Sequence, residues 1–271
     1  MKNREDFLFR LTSLAFEAGE KTLAYFGNKP SSEEKEDGSP VTAADLAAHA
    51  FLSETLASLE PLPILSEEGP AIKEEIRRDW KRFWLVDPLD GTKEFLSGSP
   101  EFTVNVALVE EGIPTLGVVV APALGRAWAA AQGIGAFARE KEGAWRRIAV
   151  SDSLPVPARV VVSRSHESWQ KAEEKLAQVL PVVLTPAGSS LKFCKVAEGL
   201  ADVYPRRGPT MEWDTGAGEC VARVAGAVVS TWDGSPMRYN KPKLTNPPFW
   251  VATPSAVQSG VVQRLQEALG D

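Results

Sequence analysis

The segment that most constrains the fold of this chain is residues 83–95, which read Phe-Trp-Leu-Val-Asp-Pro-Leu-Asp-Gly-Thr-Lys-Glu-Phe. Its four leading apolar residues predict a buried strand that brings Asp87 to its carboxyl end. Because Pro88 has no backbone N–H, we expect the chain to turn there and the Leu89 carbonyl to stay outside the ladder. The turn would return Asp90 to the side of Asp87. The segment therefore predicts two carboxylates and one carbonyl at a single strand end.

The residues that follow these acids favour an anion. Gly91 permits a positive φ, and the amides of Gly91 and Thr92 can open a helix whose N-terminus attracts negative charge. Carboxylates and carbonyls are the hard oxygen ligands that Mg²⁺ prefers, and bound Mg²⁺ commonly holds substrate phosphate as well. A strand followed by an ordinary Pro-Asp-Gly turn explains the same letters. The segment alone leaves both interpretations open.

Further acids stand at the ends of other predicted elements. Glu67 and Glu68 follow a short apolar run that predicts a strand, and Asp214 begins a small-residue helical pattern. Asp45 lies in the first turn of a helix with Thr42 at its N-cap, where capping and the helix dipole also explain an acid. Like charges about 4 Å apart repel by roughly 4 kcal/mol at an effective dielectric constant near 20. If these acids converge, they need cations.

Together, four segments resemble the lithium-sensitive, magnesium-dependent phosphatase superfamily that includes inositol monophosphatase and fructose-1,6-bisphosphatase. The resemblance covers nearly the whole chain, and one departure is a glycine at 216 where the superfamily pattern has alanine. Finer features are similar to the CysQ-type 3′(2′),5′-bisphosphate nucleotidases. The four segments are 41–45, 66–68, 87–92 and 213–218, and the finer features are 87–95, Glu101-Phe102-Thr103-Val104-Asn105 and 188–194 with the stretches up to 210.

The resemblance implies a set of metal ligands. One Mg²⁺ would be held by Glu67, Asp87 and the Leu89 carbonyl, and a second by Asp87, Asp90 and Asp214. Asp87 would then bridge the two ions. Two or three Mg²⁺ ions are implied in all.

The resemblance also implies catalytic roles. Thr92, hydrogen-bonded to Asp45, would orient and deprotonate the attacking water, with Glu67 as the third member of the catalytic group. The amides of Gly91 and Thr92 would hold the scissile phosphate, and Asp214 would also contact the substrate. The neighbouring acid Glu68 would either support these ligands or hold a weaker third cation.

Three more residues are expected to bind the phosphate that is not cleaved. Lys192 and Arg206 are the charged candidates, and Ser189 would assist them. Without the resemblance, a solvated charge on a helix and one at a strand end would be the favoured explanations of Lys192 and Arg206.

The function implied is hydrolysis of the 3′-phosphate of adenosine 3′,5′-bisphosphate, which yields AMP and phosphate. One alternative is the same metal chemistry on inositol monophosphate or on a sugar bisphosphate such as fructose 1,6-bisphosphate. Another, from a different class, is a non-catalytic regulator that binds metal and phosphate. Intact Asp45 and Thr92 speak against the regulator, because binding alone does not need a water-activating pair.

The net charge and the distribution of apolar residues limit the kinds of partner that this protein can bind. The net charge of −6 argues against broad nucleic-acid binding, while bound metals would still favour a small phosphate ester. The first residues lack an apolar signal core, and no uninterrupted apolar stretch has the length of a membrane span. We therefore expect a cytoplasmic protein without membrane or nucleic-acid partners. A homodimer is kept as an option.

The pattern of elements predicts α+β and α/β character in two halves, 1–150 and 151–271, divided at the Pro-rich stretch 151–157. The first half would hold an antiparallel meander, and the second would alternate strands with helices in a mixed α/β arrangement. This resembles the layered αβαβα sandwich of the superfamily, with the metal site where the halves meet. The predicted elements are helices over 3–27, 42–59, 167–179 and 191–198, a loop over 29–39, a meander over 102–150, and strands over 159–163, 182–185 and 202–204.

Overall fold

The computed structural model describes residues 2–27, 32–34, 40–164 and 181–269. The predicted helix over 167–179 and most of the predicted loop over 29–39 lie outside these residues.

The predicted helices and strands that fall within the described residues occur in the predicted order, with small differences at their ends. The structure adds short elements that the pattern did not indicate, among them a strand over Ser32–Glu34 inside the predicted loop. The helices of the described chain are α1 Lys2–Leu23, α2 Ala43–Leu59, α3 Glu74–Arg77, α4 Thr92–Leu96, α5 Leu191–Ala197, α6 Glu212–Val224, α7 Pro254–Gln258 and α8 Val261–Leu269. The strands are β1 Ser32–Glu34, β2 Pro40–Thr42, β3 Ile64–Ser66, β4 Arg82–Asp90, β5 Thr103–Glu110, β6 Ile113–Ala121, β7 Arg126–Ala131, β8 Gly135–Glu140, β9 Arg146–Ile148, β10 Ala158–Ser163, β11 Val182–Ala187, β12 Val203–Arg206, β13 Val228–Thr231 and β14 Phe249–Ala252.

The strands form two large sheets and a hairpin. The first sheet has seven strands in the order β3-β4-β5-β6-β7-β8-β9, and every neighbouring pair is antiparallel except β3 with β4. The second has five strands in the order β11-β10-β12-β14-β13, with parallel and antiparallel pairs. The predicted meander and the predicted mixed second half are both confirmed. Strands β1 and β2 pair antiparallel by themselves.

Strand β4 shows why the chain forms layers. Successive side chains of a strand point to opposite faces, so an unbroken apolar run indicates a strand buried on both sides. Phe83 and Leu85 pack toward α5, α6 and the second sheet, whereas Trp84 and Val86 pack toward α1 and α2. A third apolar cluster lies between the far face of the second sheet and α7 and α8. The predicted αβαβα sandwich is confirmed.

The two predicted halves share the middle of this sandwich. Helix α6 belongs to the second half of the sequence, yet it packs against β5 and β6 of the first sheet. The largest buried cluster accordingly combines residues from both sides of 151–157, which lies between β9 and β10. The division into two domains stays a prediction. Along the described helices, none has the length and apolar character needed to cross a bilayer.

Two local expectations need correction. The chain does not leave the sheet at Pro88, because β4 continues to Asp90. The pairing of β4 with β5 shifts register between Asp87 and Asp90, where Pro88 has no N–H to donate. Helix α6 begins at Glu212, two residues before Asp214.

The departure at Gly216 has a packing cause. A Cβ at this position would lie 2.7 Å from Leu85 Cδ2 and 3.3 Å from Tyr239 Cε1. Helix α6 therefore lies so close to β4 that only a glycine fits without movement of Leu85.

Candidate active site

Three carboxylates meet at the carboxyl edge of the first sheet. Parallel pairing of β3 with β4 puts Ser66 opposite Val86, so Glu67, which follows the end of β3, comes beside Asp87 of β4. Asp214 reaches the same point from the first turn of α6. One carboxylate oxygen of each of these three acids lies within 4.8 Å of the other two. Residues distant in sequence therefore form one acidic cluster, as predicted.

Asp87 lies at the centre of this cluster. Its side chain is 1% exposed, its Oδ1 accepts the Leu89 N–H at 3.0 Å, and its Oδ2 has no hydrogen-bond partner. Burial raises the pKa of Asp87 well above its ordinary value, and the charges of Glu67, Asp90 and Asp214 raise it further. The fold thus places an acceptor oxygen in the interior without a donor, which is costly unless a cation binds it.

Asp214 has a similar environment. Its Oδ2 accepts the backbone N–H of Met211 at 2.8 Å, as an acid in a first helical turn commonly does. Burial raises its pKa well above the ordinary value, and the charges of Asp90 and Glu67 act in the same direction. A set of carboxylates that repel one another fits the hard-oxygen chemistry of a divalent cation.

Asp90 is near this cluster but takes a different part. Its Oδ2 accepts the hydroxyl of Ser189 at 2.6 Å and that of Ser190 at 3.1 Å. Both serines precede α5 in the second half of the chain. Asp90 therefore connects the carboxyl end of β4 to the turn before α5, so the acids lie where residues from both predicted halves come together.

The turn after Asp90 has the predicted form. Gly91 has a φ of 92° and stands at the N-cap of α4, whose first residue is Thr92. A residue with a Cβ would be strained in this left-handed conformation.

The predicted hydrogen bond between Thr92 and Asp45 is wrong for this structure: among the described residues none joins them. Asp45 instead closes the capping box of α2, where its Oδ2 accepts the N–H of Thr42 at 2.8 Å and the Thr42 hydroxyl at 2.5 Å. These two local bonds compete with any bond to a residue outside the helix. Asp45 is 1% exposed, and burial raises its pKa.

A cleft of about 340 Å³ opens beside Asp90 and Asp214. The predicted substrate residues Gly91, Ser189, Lys192 and Arg206 all line this cleft, whereas Thr92 is not among its lining residues. The full lining is Asp90, Gly91, Lys93, Glu94, Ser163, Arg164, Ala187, Ser189, Lys192, Phe193, Tyr204, Arg206, Pro209, Thr210, Asp214 and Thr215.

Lys192 is not a solvated surface charge. It is 5% exposed, and its ammonium donates to the carbonyls of Ser189 at 2.6 Å and Ala187 at 3.3 Å. Burial lowers its pKa to about 8, and the positive charge of Arg206 acts in the same direction. A buried ammonium with two neutral acceptors keeps a third proton for an anion.

Arg206 is held in place by neutral oxygens. Its Nε donates to the Gly208 carbonyl at 3.0 Å, and its two terminal nitrogens donate to Ser163 Oγ at 2.6 Å and to the Pro209 carbonyl at 3.0 Å. A guanidinium carries five N–H donors. These bonds therefore orient the group and leave two donors for a ligand in the cleft.

Sequence reasoning gave no role to several residues around the cleft. Arg164 lines it and donates from Nε to Glu101 at 2.9 Å, and the same carboxylate accepts the Gly188 N–H at 2.8 Å. Donation by Arg164 and Gly188 lowers the pKa of Glu101 against the effect of burial. The signal that could have found this contact is the motif 101–105, which the resemblance had already marked.

Comparison with known proteins shows the family of this chain. The family model described as "Inositol monophosphatase family" matches residues 3–269, and the chain belongs to that family. It is 47% identical over 249 residues to the 3′(2′),5′-bisphosphate nucleotidase CysQ of Escherichia coli, which covers 90% of this chain and 99% of that protein. It is 48% identical over 248 residues to the protein of the same name from Salmonella typhimurium, with coverage of 90% and 98%.

Solved structures show the same relationship. CysQ from Bacteroides thetaiotaomicron has a TM-score of 0.76 and 41% identity, with 89% of this chain and 94% of that chain covered. The IMPase of Thermotoga maritima has a TM-score of 0.80 and 27% identity, with 98% of both chains covered.

Proposed function

We propose that this chain is a Mg²⁺-dependent phosphatase that removes the 3′-phosphate of adenosine 3′,5′-bisphosphate. The observation that carries the proposal is one cleft that is lined both by the carboxylates of Asp90 and Asp214 and by the oriented cations Lys192 and Arg206. Relatives named as 3′(2′),5′-bisphosphate nucleotidases support this substrate class.

In this proposal the acids hold Mg²⁺, whose chemistry is to activate water and to neutralise charge on the scissile phosphate. Glu67, Asp87 and Asp214 supply carboxylate oxygens, Asp90 adds another, and the Leu89 carbonyl completes the set. Two or three ions would fit the number of acids. The amides of Gly91 and Thr92 hold the scissile phosphate at the start of α4.

Asp45 and Thr92 remain the proposed water-activating pair, and the proposal requires that the Mg²⁺-bound enzyme form the hydrogen bond between them that this structure lacks. Both hydrogen bonds of Thr42 end on Oδ2 of Asp45. Oδ1 is therefore the oxygen to which the Thr92 hydroxyl would donate, while the lone pair of that hydroxyl orients the attacking water.

Lys192 and Arg206 bind the phosphate that stays on the product, with Ser189 beside them. A guanidinium contacts phosphate at two points, and an ammonium acts as a point charge. Binding energy from this second phosphate positions the reacting one. A monophosphate would lack that contribution.

The same proposal includes a cytoplasmic enzyme without nucleic-acid or membrane partners, with a homodimer as the alternative to a monomer and with inhibition by Li⁺. The net charge of −6 supports the absence of a nucleic-acid partner. Light scattering of the purified protein and titration with LiCl during turnover test the oligomeric state and the inhibition.

One comparison of substrates tests the proposed function. The purified chain is assayed with adenosine 3′,5′-bisphosphate, inositol 1-phosphate and fructose 1,6-bisphosphate, in Mg²⁺ and after removal of divalent ions with EDTA. We expect the nucleotide to have the highest kcat/KM and all turnover to stop in EDTA. A preference for inositol 1-phosphate would replace the nucleotidase with an inositol monophosphatase, and binding of Mg²⁺ and phosphate without turnover would indicate a regulator.

A further inference from the structure

The motif Glu101-Phe102-Thr103-Val104-Asn105 has no role in the site as described so far. Phe102 and Val104 are buried in apolar clusters. The polar residues alternate with them and face the turn before α5: Glu101 accepts from Gly188, and the Thr103 hydroxyl contacts that of Ser189. The polar side chains of this motif therefore support the turn that contacts Asp90.

Three hydroxyl contacts run in series from this strand to the acid. Ser189 Oγ lies 2.6 Å from Asp90 Oδ2, Thr103 Oγ1 contacts Ser189 Oγ, and Thr103 Oγ1 lies 3.2 Å from the carboxamide oxygen of Asn105. Only two hydroxyl protons are present for these three contacts. A cation-binding carboxylate only accepts, so Ser189 donates to Asp90 and Thr103 donates to Ser189. No proton is left for the contact with the Asn105 oxygen.

The carboxamide of Asn105 has a donor without an acceptor. Its side chain is 1% exposed, and its Nδ2 has no hydrogen-bond partner. A buried amide N–H without an acceptor costs free energy, while the oxygen and nitrogen of a carboxamide have nearly the same shape. Rotation of this group by 180° places Nδ2 against Thr103 Oγ1 and supplies the missing proton.

We propose that Asn105 and Thr103 are positioning residues that act on Asp90 through a chain of donors. Asn105 Nδ2 donates to Thr103 Oγ1, Thr103 donates to Ser189 Oγ, and Ser189 donates to Asp90 Oδ2. Each bond polarises the next, and the chain ends on a carboxylate oxygen whose orientation it fixes. The opposite direction would need a proton on Asp90, and a protonated acid is a poor ligand for a divalent cation. The inference rests on the proposed function, because it takes Asp90 as a cation ligand.

The position of Asn105 in the sheet extends this argument to a second acid. Asn105 is the cross-strand partner of Asp87, and both side chains are 1% exposed. Directly opposed side chains share one face of an antiparallel pair. The chain of donors therefore begins next to one proposed ligand and ends on another.

Removal of a single hydroxyl tests the chain. Thr103→Val keeps the shape of the side chain and removes the middle donor, whereas Thr103→Ser retains the hydroxyl. Thr115→Val is the matched control, since Thr115 is also a strand threonine but lines a different cavity and bonds to Glu110. The readouts are Mg²⁺ binding by calorimetry, the Mg²⁺ concentration for half-maximal hydrolysis, and Tm.

We expect Thr103→Val to weaken Mg²⁺ binding about tenfold, and Thr103→Ser and Thr115→Val to stay within about twofold of the wild type. Thr103→Val and Thr115→Val binding Mg²⁺ equally well would overturn the inference. Equal weakening by Thr103→Ser would also overturn it, because the effect would then follow the methyl group. If the wild type itself binds no Mg²⁺, the proposed function falls first.

The direction of the chain has its own test. Asn105→Leu removes the first donor, and a chain in series predicts that the double variant with Thr103→Val loses little more Mg²⁺ affinity than Thr103→Val alone. Additive losses would overturn the serial chain.

Neutron diffraction of Mg²⁺-bound, deuterated crystals should place deuterium between Asn105 Nδ2 and Thr103 Oγ1. The carboxamide oxygen at that position would overturn the proposed direction.

Discussion

Helix α6 carries buried acids in two contrasting environments. Asp214 faces the acids Glu67 and Asp87, and its carboxylate accepts a hydrogen bond from the Met211 amide. Glu212, two residues earlier, is fully buried. It accepts hydrogen bonds from the backbone amides of Asn240 and Lys241, in the loop between β13 and β14, and from the Lys241 ammonium at 2.6 Å.

Glu219, further along the same helix, belongs with Glu212. It accepts the Tyr239 hydroxyl at 2.5 Å, and Arg223 Nε lies 3.8 Å away. Burial alone therefore does not mark a functional acid. An acid whose partners lie within the chain completes the fold, whereas acids that face one another are stable together only when a cation binds.

The strongest test of this contrast is Asp87→Asn. We expect activity to fall by about a thousandfold or more, since a proposed bridging ligand loses its charge. In the absence of divalent ions the Tm should rise, because Asn retains the bond to the Leu89 amide and removes a repelling charge. Turnover assays and thermal melts in EDTA measure the two effects. Normal turnover at saturating Mg²⁺ would remove Asp87 from the site.

A loss of stability is expected where the variant removes the internal partner of a buried acid. Lys241→Met leaves Glu212 buried without its counter-charge and should cost about 3–5 kcal/mol in the free energy of unfolding. Urea denaturation of Lys241→Met and of the wild type measures this loss. Lys141→Met is the control, because the ion pair that it removes, between Lys141 and Glu20, is exposed. If both variants lose the same small amount, the Glu212 contact does not differ from a surface pair.

A third variant separates the cleft's cations from the acids. Arg206 donates to neutral oxygens, so Arg206→Ala should affect the substrate more than the cluster. Charge-assisted bonds contribute roughly 1.5–3 kcal/mol, which predicts a loss of about tenfold to a hundredfold in kcat/KM for adenosine 3′,5′-bisphosphate. The loss for inositol 1-phosphate should be small. Equal losses for both would mean that Arg206 contacts the scissile phosphate or supports the fold.

The smallest expected effect is a change in pH dependence at Glu219. Burial raises its pKa from the ordinary 4.5 to about 7, so the folded state binds more protons than the unfolded state between these values. Stability then falls as pH rises through this window, on the order of 2 kcal/mol. Glu219→Gln should remove that dependence and be more stable than the wild type at pH 8 but not at pH 4. Thermal melts of the wild type and of Glu219→Gln at both pH values test this prediction. An equal change in Tm between the two pH values for both proteins would contradict it.

Much of the fold was predictable because local patterns and tertiary packing agree. The apolar run before Asp87 indicated a strand covered on both faces, and β4 has helices α1 and α2 on one face and α5 and α6 on the other. Thr42 and Asp45 form the capping box that their spacing indicates. The acids of the candidate site were predicted from their places at element ends.

Other features depended on contacts that no local pattern contains. Pro88 indicated a turn, but pairing with β5 keeps the chain in the sheet as far as Asp90. The bond between Thr92 and Asp45 was expected from a resemblance, and the capping box holds Asp45 instead. Lys192 is buried, and its ammonium donates to the carbonyls of Ala187 and Ser189, which precede α5 in the chain.

The sequence by itself determined most of the order of elements and the acids at strand and helix ends, because these follow from side-chain periodicity and backbone chemistry, and the resemblance implied the layered architecture. Only the tertiary structure decided which acids have partners. Glu212 and Asp214 are two positions apart on one helix, and nothing local distinguishes the acid that meets Lys241 from the one that meets Asp87. That choice is made by the segments that pack against the helix, because Coulomb interactions depend on distance in space and not on distance along the chain.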